Sequence, residues 1–222
     1  MTARSLFYWT IKTIAWPVTR LYVRLRVEGI RQIPREGPCI VVANHASYAD
    51  AVVLGSAFPR RIVFLITAPI YNLKRLKWFY YMMGAIPVEP YVADPGALKA
   101  ALRTLRRGGV VGIFPEGQRM AHGQLGSAKG GVALLASRSG APVIPAAIVG
   151  AHAVMPVGAV VPRPFKMRVV FGEPLSFPRT DRVRASREQL ERFAGQVMTQ
   201  VGALLENRTS SLPAGDDVRS TP

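Results

Sequence analysis

The hydrophobic pattern along this chain changes period repeatedly. Short apolar runs bounded by turn residues predict strands at Tyr22–Val27, Cys39–Ala43, Arg61–Ile66, Ala85–Val88, Val110–Phe114, Val143–Ile148 and Met167–Phe171. Between them, helical spacing predicts helices near Leu6–Thr19, Ala49–Ala57, Pro69–Met82, Pro95–Arg107, Gly131–Ser139 and Arg184–Glu206. The Pro95 helix has the clearest punctuation: Asp94 as cap, Pro95 in the first turn, basic residues at the end, then Gly108-Gly109. Strands alternating with helices argue for an α/β fold. We expect a single domain with a mixed, mostly parallel central sheet flanked by helices, preceded by an interfacial N-terminal helix. Short strands such as Tyr22–Val27 are expected to add antiparallel edges. The chain then divides into an N-terminal segment at 1–26, the main domain at 27–206, and a polar tail at 207–222 expected to be disordered.

At 222 residues the chain can bury one substantial core, and 49% hydrophobic against 19% charged residues excludes a disordered chain. Charge changes the picture. The 29 Lys+Arg against 13 Asp+Glu leave a formal +16, which favours an anionic partner: nucleic acid, an acidic protein, a phosphorylated substrate or an anionic membrane surface. The single cysteine, Cys39, lies in an apolar run and reads as a small buried hydrophobe; one cysteine excludes an internal disulfide. No His, Cys and acidic residues have metal-ligand spacing, so no metal is expected.

The N-terminal stretch "RSLFYWTIKTIAWPVTRLYVRL" is aromatic and apolar, but Lys12, Arg20 and Arg24 interrupt it and Pro17 lies within it. A spanning helix needs about 20 predominantly apolar residues, which this stretch lacks, and no signal-peptide cleavage site is evident. Phe7, Tyr8, Trp9 and Trp16 among Lys and Arg suit a segment lying in the headgroup region. An ordinary core helix with an aromatic face is the alternative.

Two strand ends carry candidate chemistry. In "VVANHASYAD", His45 and Asp50 follow the Cys39–Ala43 strand. Imidazole titrates near neutrality, and a carboxylate on its other nitrogen would fix the tautomer and stabilise the imidazolium. Spacing of i, i+5 does not place them on one helical face. They meet if His45 lies in the loop and Asp50 in the first helical turn, where a carboxylate is also favoured simply as a helix-start residue. In "GVVGIFPEGQRM", a strand delivers Glu116, Gly117 and Arg119 to one loop. Glu116 can accept from hydroxyls, Arg119 can grip phosphate, and Gly117 permits close backbone approach. A local Glu–Arg surface pair would explain that stretch equally well.

Taken together, N-H-x-x-x-x-D followed by F-P-E-G-x-R resembles the glycerolipid acyltransferase family, which includes the lysophosphatidate acyltransferases. "GQLGSAKGGVALLASRSGAPVIPAAIVG" is similar to that family's continuation, and the resemblance spans roughly Val27 to Gly172. It implies that His45 is a general base deprotonating an acceptor hydroxyl and that Asp50 holds it. The alkoxide then attacks an acyl thioester carried by coenzyme A or acyl carrier protein, with no covalent acyl-enzyme and no cofactor. Glu116, Gly117 and Arg119 would bind the acceptor's glycerol and phosphate. Lys129 and Asn44 match family motif positions and join the substrate-binding group, Asn44 in a positional role. The implied acceptor is 1-acylglycerol-3-phosphate, giving phosphatidic acid, and the implied location is the cytoplasmic face of a membrane.

One departure bears on that acceptor. The family's second motif resembles G-x-I-x-V-x-R, whereas this chain reads "GAIPVEP": Pro90 replaces the arginine and Glu89 stands beside it. Lys74, Arg75 and Lys77 are candidates to compensate; otherwise a different lyso-lipid is the acceptor. A basic nucleic-acid-binding protein is the rival from another class, but no RNA-recognition signature, zinc finger or helix-turn-helix is evident, and no nucleic-acid partner is expected. His122 and His152 match no catalytic position and read as surface or turn residues.

Overall fold

The computed structural model describes residues 2–47, 49–90, 92–117, 130–154, 163–178 and 185–209. Helix α1 spans Ala3–Tyr22, and Thr2 caps it by accepting from the Ser5 N–H. The strands are β1 (Arg26–Glu28), β2 (Cys39–Ala43), β3 (Ile62–Thr67), β4 (Ile86–Val88), β5 (Val110–Ile113), β6 (Val143–Val149) and β7 (Arg168–Phe171). Between them run α2 (Ala49–Ala57), α3 (Ala68–Tyr71), α4 (Lys77–Met83), α5 (Pro95–Arg106), α6 (Gly131–Ser139) and α7 (Ala151–Val154), and α8 (Arg187–Thr209) follows β7.

The strands form one mixed sheet in the order β1-β7-β6-β2-β5-β3-β4. All neighbours run parallel except β6 and β7. Strand β2 lies at the centre, and its residues alternate between two cores as the pleat requires. Cys39, Val41 and Ala43 pack with Val53, Leu54 and Phe58 on one face. Ile40 and Val42 pack with Ala101, Leu105, Val132 and Val197 on the other. A strand buried on both faces reads as a continuous apolar run, as "CIVVA" does.

Three expectations need correction. The strand expected at Tyr22–Val27 shrinks to Arg26–Glu28 because α1 runs on to Tyr22 and Arg24 turns the chain at a φ of 44°. That edge is also parallel to β7; the antiparallel pairing falls between β6 and β7 instead. The single helix expected over Pro69–Met82 divides into α3 and α4, with Asn72 ending the first and a turn closed by Leu76 N–H to the Leu73 carbonyl. Asn competes with the helix by bonding locally, which favours such a break. Finally, the helix expected over Arg184–Glu206 is α8 over Arg187–Thr209. Its start carries a capping box: Ser186 Oγ accepts from the Gln189 N–H, and Gln189 Oε1 from the Ser186 N–H. The rest of the expected tail lies outside the described residues.

Helix α1 continues through Pro17 and lies against α2 and α4. Two side chains one turn apart tie it to the sheet and to the end of α2. Tyr8 is buried, and its hydroxyl accepts from the Ile62 N–H at 3.1 Å. Lys12 donates from Nζ to the Phe58 carbonyl. Its outer side exposes Leu6, Ile14, Trp16, Val18 and Leu21. Among the described residues no helix is long and apolar enough to cross a membrane.

Both ties give measurable predictions. Tyr8→Phe leaves the buried Ile62 N–H without an acceptor and should cost about 1–3 kcal/mol, read by urea denaturation; an unchanged midpoint would show that the bond contributes nothing. Burial pushes the Lys12 ammonium down from 10.5 to about 8. Between those values the unfolded chain holds the proton and the folded protein does not, so this group makes stability rise with pH. Wild type should therefore gain stability relative to Lys12→Met between pH 8 and 10.5, and parallel curves for the two proteins would refute it.

Candidate active site

The loop after β2 is shaped by the first turn of α2. Ser47 Oγ accepts from the Ala49 N–H at 3.2 Å, and three residues after Ser47 the Asp50 side chain reaches back to the Ser47 N–H at 2.7 Å. This is capping-box spacing with aspartate at the third position. The same Asp50 oxygen, Oδ2, also accepts from the Ala46 N–H at 2.7 Å and meets His45 Nδ1 at 2.9 Å. Asp50 is fully buried, whereas the His45 side chain keeps 20% of its surface exposed. Because a carboxylate only accepts, Nδ1 is the donor in this pair, and in the neutral imidazole Nε2 then presents the lone pair. That is the tautomer a general base requires.

Asn44, beside it, is buried and fully engaged with the neighbouring strand. Its amide nitrogen donates to the Ile148 carbonyl at 3.0 Å, and its oxygen accepts from the Ile148 N–H at 2.7 Å. The side chain thus prolongs the β2–β6 ladder past the last paired residues, Ala43 and Ala146. Its polar atoms hold the loop rather than face a ligand.

The second loop arrives by register. Val42 of β2 pairs with Ile113 of β5, so His45 and Glu116 each lie three residues beyond a paired position at the C-terminal edge of the sheet. This edge is where open α/β sheets carry their sites. Phe114 to Gly117 form a turn closed by the Gly117 N–H on the Phe114 carbonyl at 3.2 Å, with Gly117 at a φ of 68°. That positive φ is a reason for glycine here. Glu116 is buried in the same turn. Arg119 and Lys129, like His122, lie outside the described residues. His152 is exposed on α7, which follows β6, and does not line the cavity beside His45.

His45 opens on an apolar cavity of about 460 Å³. Its walls come from α1 (Ile11, Lys12), α2 (Val52, Gly55), β3 (Phe64, Ile66) and α4 (Phe79, Met83), with Gly117 at the same end as His45. The lining runs from His45, just before α2, to Lys12, which bonds the Phe58 carbonyl just past the end of that helix. The walls match an alkyl chain. Sequence reasoning did not identify α1 as a cavity wall, because helical periodicity marks an apolar face without saying what that face encloses. The i, i+4 pair of Tyr8 and Lys12 was the available signal: an inward hydroxyl and an inward amine on an otherwise aromatic face. Lys74, Arg75 and Lys77 are exposed and do not line the cavity.

Cys39 is fully buried, and desolvation pushes its thiol up to about 11, so it is inert as a nucleophile. Among the described residues no cluster of His, Cys, Asp and Glu is placed to hold a metal ion.

Known proteins match this arrangement. The Arabidopsis thaliana protein named 1-acyl-sn-glycerol-3-phosphate acyltransferase LPAT1, chloroplastic, is 31% identical over 62% of this chain and 39% of its own length. A Brassica napus relative of the same kind is 30% identical, also over 62% of this chain and 41% of its own length, so the chain spans about two fifths of these plant relatives. The Bacillus subtilis 1-acyl-sn-glycerol-3-phosphate acyltransferase is 26% identical over 75% of this chain and 84% of its own. The crystal structure of the 1-acyl-sn-glycerophosphate acyltransferase PlsC from Thermotoga maritima superposes with a TM-score of 0.71 at 26% identity, covering 90% of this chain and 80% of that one. The family model for Acyltransferase matches residues 24–149, a span that contains both strand-end loops and the His45–Asp50 pair. The chain belongs to the acyltransferase family.

Proposed function

We propose that this protein transfers a fatty acyl group from an acyl thioester, carried by coenzyme A or acyl carrier protein, to the free hydroxyl of 1-acylglycerol-3-phosphate. The observation that carries this reading is a His–Asp pair that opens on a cavity of about 460 Å³ with largely apolar walls. His45 Nε2 takes the proton of the acceptor hydroxyl as its oxygen bonds to the thioester carbon. The tetrahedral intermediate collapses, the carbon–sulfur bond breaks, and the imidazolium returns the proton to the departing thiolate. Asp50 remains a carboxylate throughout and stabilises the transient imidazolium. The acyl chain lies among Ile11, Val52, Phe64 and Met83. Glu116 and Gly117, together with Arg119 and Lys129, hold the acceptor's glycerol and phosphate.

Membrane lipids are the expected surface on which this happens. Trp16 and Leu21 on α1, and Trp78 and Tyr81 on α4, are more than half exposed while Arg4, Arg20, Lys74, Arg75 and Lys77 surround them. Aromatic and aliphatic groups among cations suit the interface of an anionic bilayer on its cytoplasmic face. A second reading concerns the acceptor alone. Pro90 stands just beyond β4, at the same sheet edge as the site, in the position to which the motif resemblance assigns an arginine. A lyso-lipid without a phosphomonoester would need no such contact.

Thiol release from acyl-coenzyme A, measured with purified protein across a panel of lyso-lipids, tests the proposal. Lysophosphatidate should be the preferred acceptor, and His45→Ala should lower kcat by about 100-fold to 10,000-fold, the usual contribution of a general base, without unfolding the protein. Preference for another lyso-lipid would establish the second reading. Release from neither acyl-coenzyme A nor acyl carrier protein would refute both. For the membrane, Trp16→Glu with Trp78→Glu should leave the protein in the supernatant when anionic vesicles are sedimented; co-sedimentation equal to wild type would exclude this face as the docking surface.

A further inference from the structure

One hydrogen bond to Asp50 fixes the tautomer of His45 but leaves its ring free to swing about that bond. The ring plane is set from elsewhere. Phe114 stacks on the imidazole with ring centroids 4.4 Å apart and planes inclined by 20°. Behind it, Phe64 lies parallel to Phe114 within 2°, with centroids 5.8 Å apart. Phe64 in turn fits only because position 112 carries no side chain. A Cβ on Gly112 would come within 2.6 Å of both Phe64 Cδ1 and Ile62 Cγ2. Three planes therefore stack from the sheet surface outward: Phe64 on β3, Phe114 at the end of β5, His45 after β2.

We infer that Phe114, backed by Phe64, is a positioning residue for the base: it holds the imidazole plane so that Nε2 points into the acceptor site and lays an aromatic face beneath the imidazolium that forms there. Offset aromatic stacking and a cation over a ring face are both attractive at these separations. Both His45 and Phe114 line the cavity, and Phe114 covers the face of the imidazole on which it stacks. This rests on the acyl-transfer reading for its kinetic consequence but not for its geometry.

The test therefore has two readouts. Phe114→Leu keeps an apolar side chain and removes the plane. It should lower kcat by about tenfold, equivalent to about 1.4 kcal/mol, while the KM for the lyso-lipid acceptor stays near wild type. Phe114→Tyr, which restores the plane, should recover most of that loss. The second readout needs no turnover. In proton NMR the His45 Hε1 resonance should lie upfield in wild type, under the ring current of Phe114, and move downfield in Phe114→Leu. With only three histidines in the chain, His45→Gln assigns the signal by its disappearance. Wild-type kcat in Phe114→Leu, or a His45 resonance that does not move, would overturn the inference. If Phe114→Leu does not fold, Phe64→Leu removes the backing ring and is read the same way, with both effects smaller but required. Should wild type release no thiol at all, the acyl-transfer reading fails while the resonance still decides the stack.

Discussion

The Asp50 carboxylate is the constraint on which the site depends. It has no exposure to solvent, and a single oxygen accepts from two backbone N–H groups and from His45. A buried carboxylate is costly unless donors surround it. Here the donors come from the loop between β2 and α2, so stabilising the charge and shaping the loop are the same event. The capping-box spacing of Ser47 and Asp50 starts the helix, and the helix N-terminus itself favours negative charge. A residue that reads as an ordinary helix start is therefore also the residue that orients the base. The two readings are not rivals, because one oxygen performs both tasks.

Around that oxygen, adjacency in the sheet supplies the rest. Strands β2 and β5 are sequence-distant neighbours, and their pairing places His45, Phe114 and Glu116 within one loop cluster. Asn44 secures the other flank by bonding the β6 backbone at Ile148. The base thus stands between two loops, each anchored to the central strands, which are buried on both faces and tightly packed. A site built on such strands moves little relative to its substrate.

The cavity belongs to a different layer. Its inner walls are β3 and α2, but it is closed by α1 and α4, which also carry the exposed tryptophans. One pair of helices faces the alkyl site inward and offers aromatic groups among cations outward. That two-sided use explains why α1 is amphipathic in an unusual sense: its inner face includes a hydroxyl and an amine, and its outer face exposes aliphatic and aromatic side chains. Neither face is polar in the ordinary way of a surface helix.

Local sequence determined much of this protein. The central strands, the helices at Ala49–Ala57 and Gly131–Ser139, and the capped start at Asp94 follow from residue pattern, because apolar period and cap chemistry act over a few positions. The motif residues were legible as types: a histidine, a carboxylate five residues on, a glutamate in a glycine turn. The failures share a cause. Tyr22–Val27 reads as strand because aromatic, β-branched and aliphatic residues favour one, yet α1 takes Tyr22 and the turn at Arg24 follows, leaving only Arg26–Glu28 as strand. The orientation of β7 is set by its long-range partner β6 rather than by its own composition. What only the tertiary structure decided is which side chains meet. Phe114 lies 69 positions after His45 and Phe64 a further strand away, and no spacing rule links them. Spacing along a chain specifies contacts only within a helical turn or a hairpin. Contacts between parallel strands depend on register across the sheet, and the packed core enforces that register only once the whole domain has formed.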